Sequence, residues 1–104
     1  MEINSPRIDE VTFTETGAET RHPPMYKVLL HNDHYTTMDF VVRVLETVFH
    51  KNEEQAVAIM LHVHHNGIAA AGVYPCQVAE TKVDTVHTLA RENGFPLKCS
   101  MEPE

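Results

Sequence analysis

Pro23-Pro24 stands just ahead of the first sustained apolar run and sets where a core can begin. Neither proline can donate a backbone hydrogen bond, and both favour extended chain. Before it, Met1 to His22 carries five acids (Glu2, Asp9, Glu10, Glu15, Glu19) among Thr, Ser, Gly and Pro, with only isolated apolar residues. No helical or strand period there is long enough to bury a face, so residues 1–22 read as a mobile extension. What can pack lies in residues 23–104, room for one domain with a modest core.

Met25 to Leu30 is an apolar run of strand length, ended by the polar His31 to Tyr35 segment. Thr36 with Asp39 three residues on resembles a capping box, and Met38, Val41, Val42, Leu45, Val48 and Phe49 then recur at helical spacing. A first helix is predicted near residues 37–50. Asn52 with Gln55 signals a second helix start, where Glu53 and Glu54 suit the positive end of the dipole. Ala56, Ile59, Met60 and Val63 form its apolar face, and Gly67 suits a left-handed stop. Ile68 to Tyr74 reads as a strand closed by Pro75, Gln77 to Asn93 as a third helix ended by Gly94, and Leu97 to Met101 as a last strand. The order predicts an α+β fold, three short strands in one sheet covered by three helices. Strand order is left open.

Fifteen acidic against eight basic residues give a formal net charge of −7. That argues against the clustered basic face of a nucleic-acid binder and favours cationic ligands such as protonated amines. No apolar run approaches the ~20 residues of a membrane span, and Met1-Glu2-Ile3-Asn4 begins acidic and polar, so a cytoplasmic location is expected. Cys76 and Cys99 match no disulfide framework and read as reduced thiols. The four glycines are scattered, with no phosphate cradle or Gly-rich oxyanion loop, so the chain is expected to be neither an enzyme nor a cofactor carrier.

The segment His31-Asn32-Asp33-His34-Tyr35-Thr36-Thr37-Met38 gathers a carboxylate, an amide and a hydroxyl beside a flexible apolar side chain. Such a group can hold a small cation at one end and a hydrophobic body at the other, the shape of a protein N-terminus with a bulky first residue. On the second helix, at about 100° per residue, His64 lies about 40° from Met60 and Val63 about 60° on its other side, whereas His62 and His65 point about 160° and 140° away from Met60. His64 alone therefore flanks the apolar stripe, as a core-edge histidine or as a partner of the Asn32-Asp33 loop. A histidine-based metal-binding regulator is an alternative, although His62 and His65 offer only an i, i+3 pair. A cysteine hydrolase using Cys76, placed at a helix start, is another.

Taken in order, Pro23-Pro24-Met25-Tyr26-Lys27-Val28-Leu29-Leu30, Asn32-Asp33, Tyr35-Thr36-Thr37-Met38-Asp39-Phe40-Val41, Met60-Leu61-His62-Val63-His64, Val78-Ala79-Glu80-Thr81-Lys82-Val83 and Ala90-Arg91-Glu92-Asn93 resemble the ClpS family. These are bacterial adaptors that deliver N-degron proteins to the AAA+ unfoldase ClpA and its protease ClpP. The resemblance covers about Pro23 to Met101 and implies a monomer that binds chain ends beginning with Leu, Phe, Tyr or Trp. It places the substrate α-amine on Asn32, Asp33 and His64, and the first side chain in a pocket of Met38, Val41, Met60, Val63 and Leu97. His34 and Thr36 fall beside the substrate backbone, with helix capping as a further role for Thr36. Unfoldase docking falls on Gln77, Glu80, Thr81 and Lys82, and the residue 1–22 extension is implied to engage the unfoldase pore. Two positions depart from the family pattern: His34 stands where many relatives have Asp, and Gln77 where an acid is common.

Overall fold

The computed structural model describes residues 22–104; apart from His22, the predicted extension lies outside the described residues. The elements follow as β1 (Met25–His31), α1 (Met38–Thr47), α2 (Glu53–Asn66), β2 (Ile68–Pro75), α3 (Cys76–Glu92) and β3 (Lys98–Pro103). The three predicted strands and three predicted helices all form, in the expected order.

The N-terminal strand takes the middle of the sheet, in the order β2-β1-β3, and both pairings are antiparallel. Met25 lies opposite Pro75 and His31 opposite Ile68 on one side, while His31 meets Lys98 on the other. The alternation of β-structure sends Val28 and Leu30, both fully buried, to the helix-covered face with Ala69, Ala71 and Cys99. On α3, Ala79, Val86 and Ala90 are buried, and the helix contacts all three strands, while α2 contacts β2 and α1 packs on α2. At the edge strand β3, His87 accepts a hydrogen bond from the Cys99 N–H at 3.0 Å, taking up a donor that an edge leaves open.

Capping chemistry fixes the helix ends. Asn52 and Gln55 form the reciprocal box predicted for α2, and Gly67 ends that helix at φ 86°, in the left-handed region. At α1 the cap is Thr37, whose hydroxyl accepts from Phe40 N at 3.2 Å, rather than Thr36. The buried stripe of α1 also differs from the predicted one: Phe40 and Val44 belong to it along with Val41 and Leu45. The helix stops at Thr47 rather than near residue 50 because His50, at φ 57°, reverses the chain and Lys51 N returns to Leu45 O at 3.1 Å.

Candidate functional site

Asp33 folds the loop between β1 and α1. One carboxylate oxygen, Oδ1, accepts from Tyr35 N at 2.8 Å and Thr36 N at 2.6 Å, and Oδ2 accepts from the Thr36 hydroxyl at 2.7 Å. This is a side-chain turn of the kind Asp makes with backbone two and three residues on. It accounts for the shift of the cap to Thr37, because the Thr36 hydroxyl is already committed to Asp33. Partial burial pushes the Asp33 carboxyl upward. The donors from Thr36 and Tyr35, helped by nearby His34, outweigh that and hold it below its ordinary value, so the group stays anionic.

A second tether brings the loop to α2. Asn32 N donates to the Gly67 carbonyl at 2.9 Å, so the loop lies against the end of the helix that carries His64. Asn32, Asp33, His34 and Thr36 from the loop, Met38 and Val41 from α1, and Met60, Val63 and His64 from α2 line one hollow of about 400 Å³. That is within the ~300–1,000 Å³ of ordinary ligand sites. The polar groups come from the loop and from His64. Val41, Met60 and Val63 are each less than 10% exposed, while Met38 is 45% exposed. An anionic carboxylate, an amide and an imidazole beside an apolar pocket suit an ammonium bearing a hydrophobic substituent.

All nine of these residues are among those predicted from sequence, and no other described residue lines the hollow. Leu97 is not one of them. It is 3% exposed and borders a separate depression with His87, Phe95 and Pro96, packed into the core ahead of β3. Its assignment to the side-chain pocket rests on the family resemblance alone. His64 is exposed and lines the hollow, rather than being a buried core-edge histidine. Among the described residues, no three of His, Cys, Asp or Glu gather to hold a metal ion, which leaves the metal-regulator alternative without a centre there. Burial pushes the Cys99 thiol up to about 12, unfit for nucleophilic attack near neutrality.

The four residues assigned to unfoldase docking lie on α3. Gln77, Thr81 and Lys82 line a larger groove of about 750 Å³ between α1 and α3, while Glu80 is exposed outside it. Lys82 turns inward: its ammonium donates to Val48 O at 2.6 Å, the C-cap of α1, and sits 5.4 Å from the Tyr74 ring centroid. The sequence reading did not anticipate Arg43, Val44 and Val78 as its neighbours in this groove; the period of α1 and α3 gives their faces but not how the two helices meet. The groove is the larger of these two hollows, yet no carboxylate among the described residues lines it to serve as counterion for an ammonium.

Fold and hollow together define a small α+β binding domain, with a polar clamp and an apolar floor set where a loop meets two helices. Residues 21–100 match the family model described as ATP-dependent Clp protease adaptor protein ClpS, and the chain belongs to that family. It is 60% identical to the ATP-dependent Clp protease adapter protein ClpS of Desulfatibacillum aliphaticivorans over 92 residues, covering 88% of each chain. The corresponding protein of Desulforapulum autotrophicum is 54% identical over 104 residues, the whole of both chains. Among solved structures, Agrobacterium tumefaciens ClpS2 bound to L-phenylalaninamide superposes with a TM-score of 0.77 at 41% identity, covering 80% of this chain and all of that one. The protein is therefore an adaptor of the Clp protease and not an enzyme. No helix among the described residues is long and apolar enough to cross a membrane.

Proposed function

We propose that this adaptor captures protein N-termini that begin with Leu, Phe, Tyr or Trp and hands them to the ClpA unfoldase for degradation by ClpP. The observation that carries the reading is the single hollow in which Asn32, Asp33 and His64 share walls with Met38, Val41, Met60 and Val63. In this reading the Asp33 carboxylate and the Asn32 amide carbonyl accept from the α-ammonium, His64 accepts through an imidazole nitrogen, and the apolar residues take the first side chain. His34 and Thr36 lie beside the substrate backbone. L-phenylalaninamide, the ligand of the Agrobacterium relative, combines a free α-amine with an aromatic side chain, the same two features. An internal leucine has no ammonium to offer, so selectivity for chain ends follows from the clamp.

Docking on ClpA is assigned to Gln77, Glu80, Thr81 and Lys82 at the start of α3, with residues 1–22 entering the unfoldase pore. The adaptor works as a cytoplasmic monomer in this scheme. Titration of the full chain with a Leu-initiated peptide and with its N-acetylated form tests the capture step. Acetylation removes charge-assisted hydrogen bonds worth ~1.5–3 kcal/mol each, and the acetylated peptide should bind at least about 100-fold more weakly. Equal affinity for the two forms would overturn amine capture.

A further inference from the structure

The groove between α1 and α3 is apolar along its floor, with Val44, Val48 and Leu89, and its cationic lining residues are Arg43 and Lys82, with His50 beside them. Although the chain's net charge is −7, no carboxylate among the described residues lines this groove. Lys82 is engaged by Val48 O, whereas Arg43, on the exposed side of α1, lies 6.0 Å from the Phe40 ring and leaves its guanidinium donors for a visitor. Val78 is 43% exposed at the α3 end of the groove, a bare apolar contact. The surface calls for an extended segment that is acidic and also carries apolar side chains.

We infer that this groove is the docking site of the chain's own N-terminal segment, with Ile8-Asp9-Glu10-Val11-Thr12-Phe13 as the occupant. Residues 1–21 lie outside the described residues, and they hold five acids against Arg7 and Arg21. Their densest apolar stretch, Ile8, Val11 and Phe13, is interrupted by Asp9 and Glu10, which matches an apolar floor with a basic rim. The segment also leaves the fold at the right place. Met25 lies opposite Pro75, the residue directly before α3, whose first turn supplies Gln77 and Val78 to the groove. From His22 back to Phe13 an extended chain spans up to ~30 Å at ~3.3–3.6 Å per residue. The groove's run along α3 from Gln77 to Asn93 is about 24 Å at about 1.5 Å per residue. Tethering gives the segment a high effective concentration at the groove, so a weak contact suffices. The groove shares Gln77, Thr81 and Lys82 with the proposed unfoldase surface, so docking there would release the segment; that consequence rests on the proposed function, whereas the contact itself does not.

The test compares NMR spectra of the full chain with those of the full-length double variant Ile8→Asp, Phe13→Asp, in the absence of any unfoldase. The signals of Val44, Val48, Val78 and Leu89 should move in the variant. Salt near 1 M, where the Debye length is about 3 Å, should carry the unsubstituted chain part of the way to the same positions. Arg43→Glu with the segment intact should displace the Val78 and Leu89 signals in the same direction. Groove signals that stay put in the double variant overturn the proposal. Changes confined to the Asn32 and His64 signals also overturn it, because they place the segment in the other hollow. Changes that disappear on dilution do so too, by assigning the contact to a second copy.

Discussion

Asn32 N and Gly67 O meet at 2.9 Å, and this one backbone hydrogen bond joins the loop that carries Asp33 to the helix end that carries His64. Gly67 holds φ 86°, and a Cβ there would meet no atom within 4 Å. The cost of Gly67→Ala is therefore backbone strain, about 1–2 kcal/mol, rather than a clash. For a domain of this size that lowers the melting temperature by roughly 4–8 °C per kcal/mol. Thermal unfolding should show that loss, and titration with an N-degron peptide should show weaker binding, because the Gly67 carbonyl anchors the clamp. An unchanged affinity alongside a lowered melting temperature would separate the tether from the site.

Thr36 and Thr37 divide two tasks, and substitution should separate them. Thr36→Val keeps the shape but removes the hydroxyl that donates to Asp33 Oδ2. A hydrogen bond to a charged group contributes ~1.5–3 kcal/mol. The half-exposed setting puts this case at the low end, so a roughly tenfold loss of peptide affinity is expected. Thr37→Ala removes the α1 cap instead, costing ~0.5–2 kcal/mol of stability with little change in binding. Calorimetric titration and urea unfolding on both variants check the division.

Two titrations make acid destabilise the fold in separate windows. His31 is lowered from its ordinary 6.5, first by burial and then by Lys98. Asp33 lies below its ordinary 3.8, the donors from Thr36 and Tyr35 prevailing over the upward push of burial. In both cases the unfolded chain binds its proton more readily. Stability is therefore complete above the ordinary value and falls as pH drops through the lowered one. The His31 contribution should begin to fade below about pH 6.5 and that of Asp33 below about pH 3.8. His31→Gln should flatten the first decline and Asp33→Asn the second, as followed by urea midpoints across the acid range.

Lys82 and Glu80 are neighbours on α3 with different expected phenotypes. Lys82→Ala frees the Val48 carbonyl at the C-cap of α1 and removes the cation near Tyr74. Roughly 1 kcal/mol of stability should be lost, given a partly exposed ammonium at a helix C-terminus. Weakened protease delivery by this variant therefore mixes folding with docking. Glu80 is exposed and lines neither hollow, so Glu80→Lys should leave the melting temperature and peptide affinity intact. A binding assay with the unfoldase should then show the loss if this face docks.

Local signals explain what sequence reading could reach. The Asn52–Gln55 box and the Gly67 stop depend on residues a few positions apart, and both stand where predicted. The nine residues of the candidate site were legible through the loop's polar spacing, the helical angle of His64 and the family resemblance. Thr36 and Thr37 could not be told apart because the cap depends on the turn folded by Asp33. Leu97 reads as apolar and buried in any arrangement, but which hollow it borders follows from how β3 joins α3. Strand order and the partner of Lys82 are set by tertiary packing, with no period in the sequence to announce them.

The two methionines of the candidate site should respond in opposite ways. Met60 is 8% exposed and part of the core, so Met60→Ala combines a cavity with lost packing, a cost of ~2–5 kcal/mol. Met38 is 45% exposed, lines the hollow and lies outside the core cluster. Met38→Ala should therefore leave stability within about 0.5 kcal/mol of the original. If Met38 closes over a substrate's first side chain, the same variant loses part of the ~1.5–3 kcal/mol that burying Leu or Phe supplies, or roughly tenfold in affinity. Unfolding midpoints and peptide titrations on the pair decide the point. A Met38→Ala variant that keeps full affinity for Leu- and Phe-initiated peptides would remove it from the pocket.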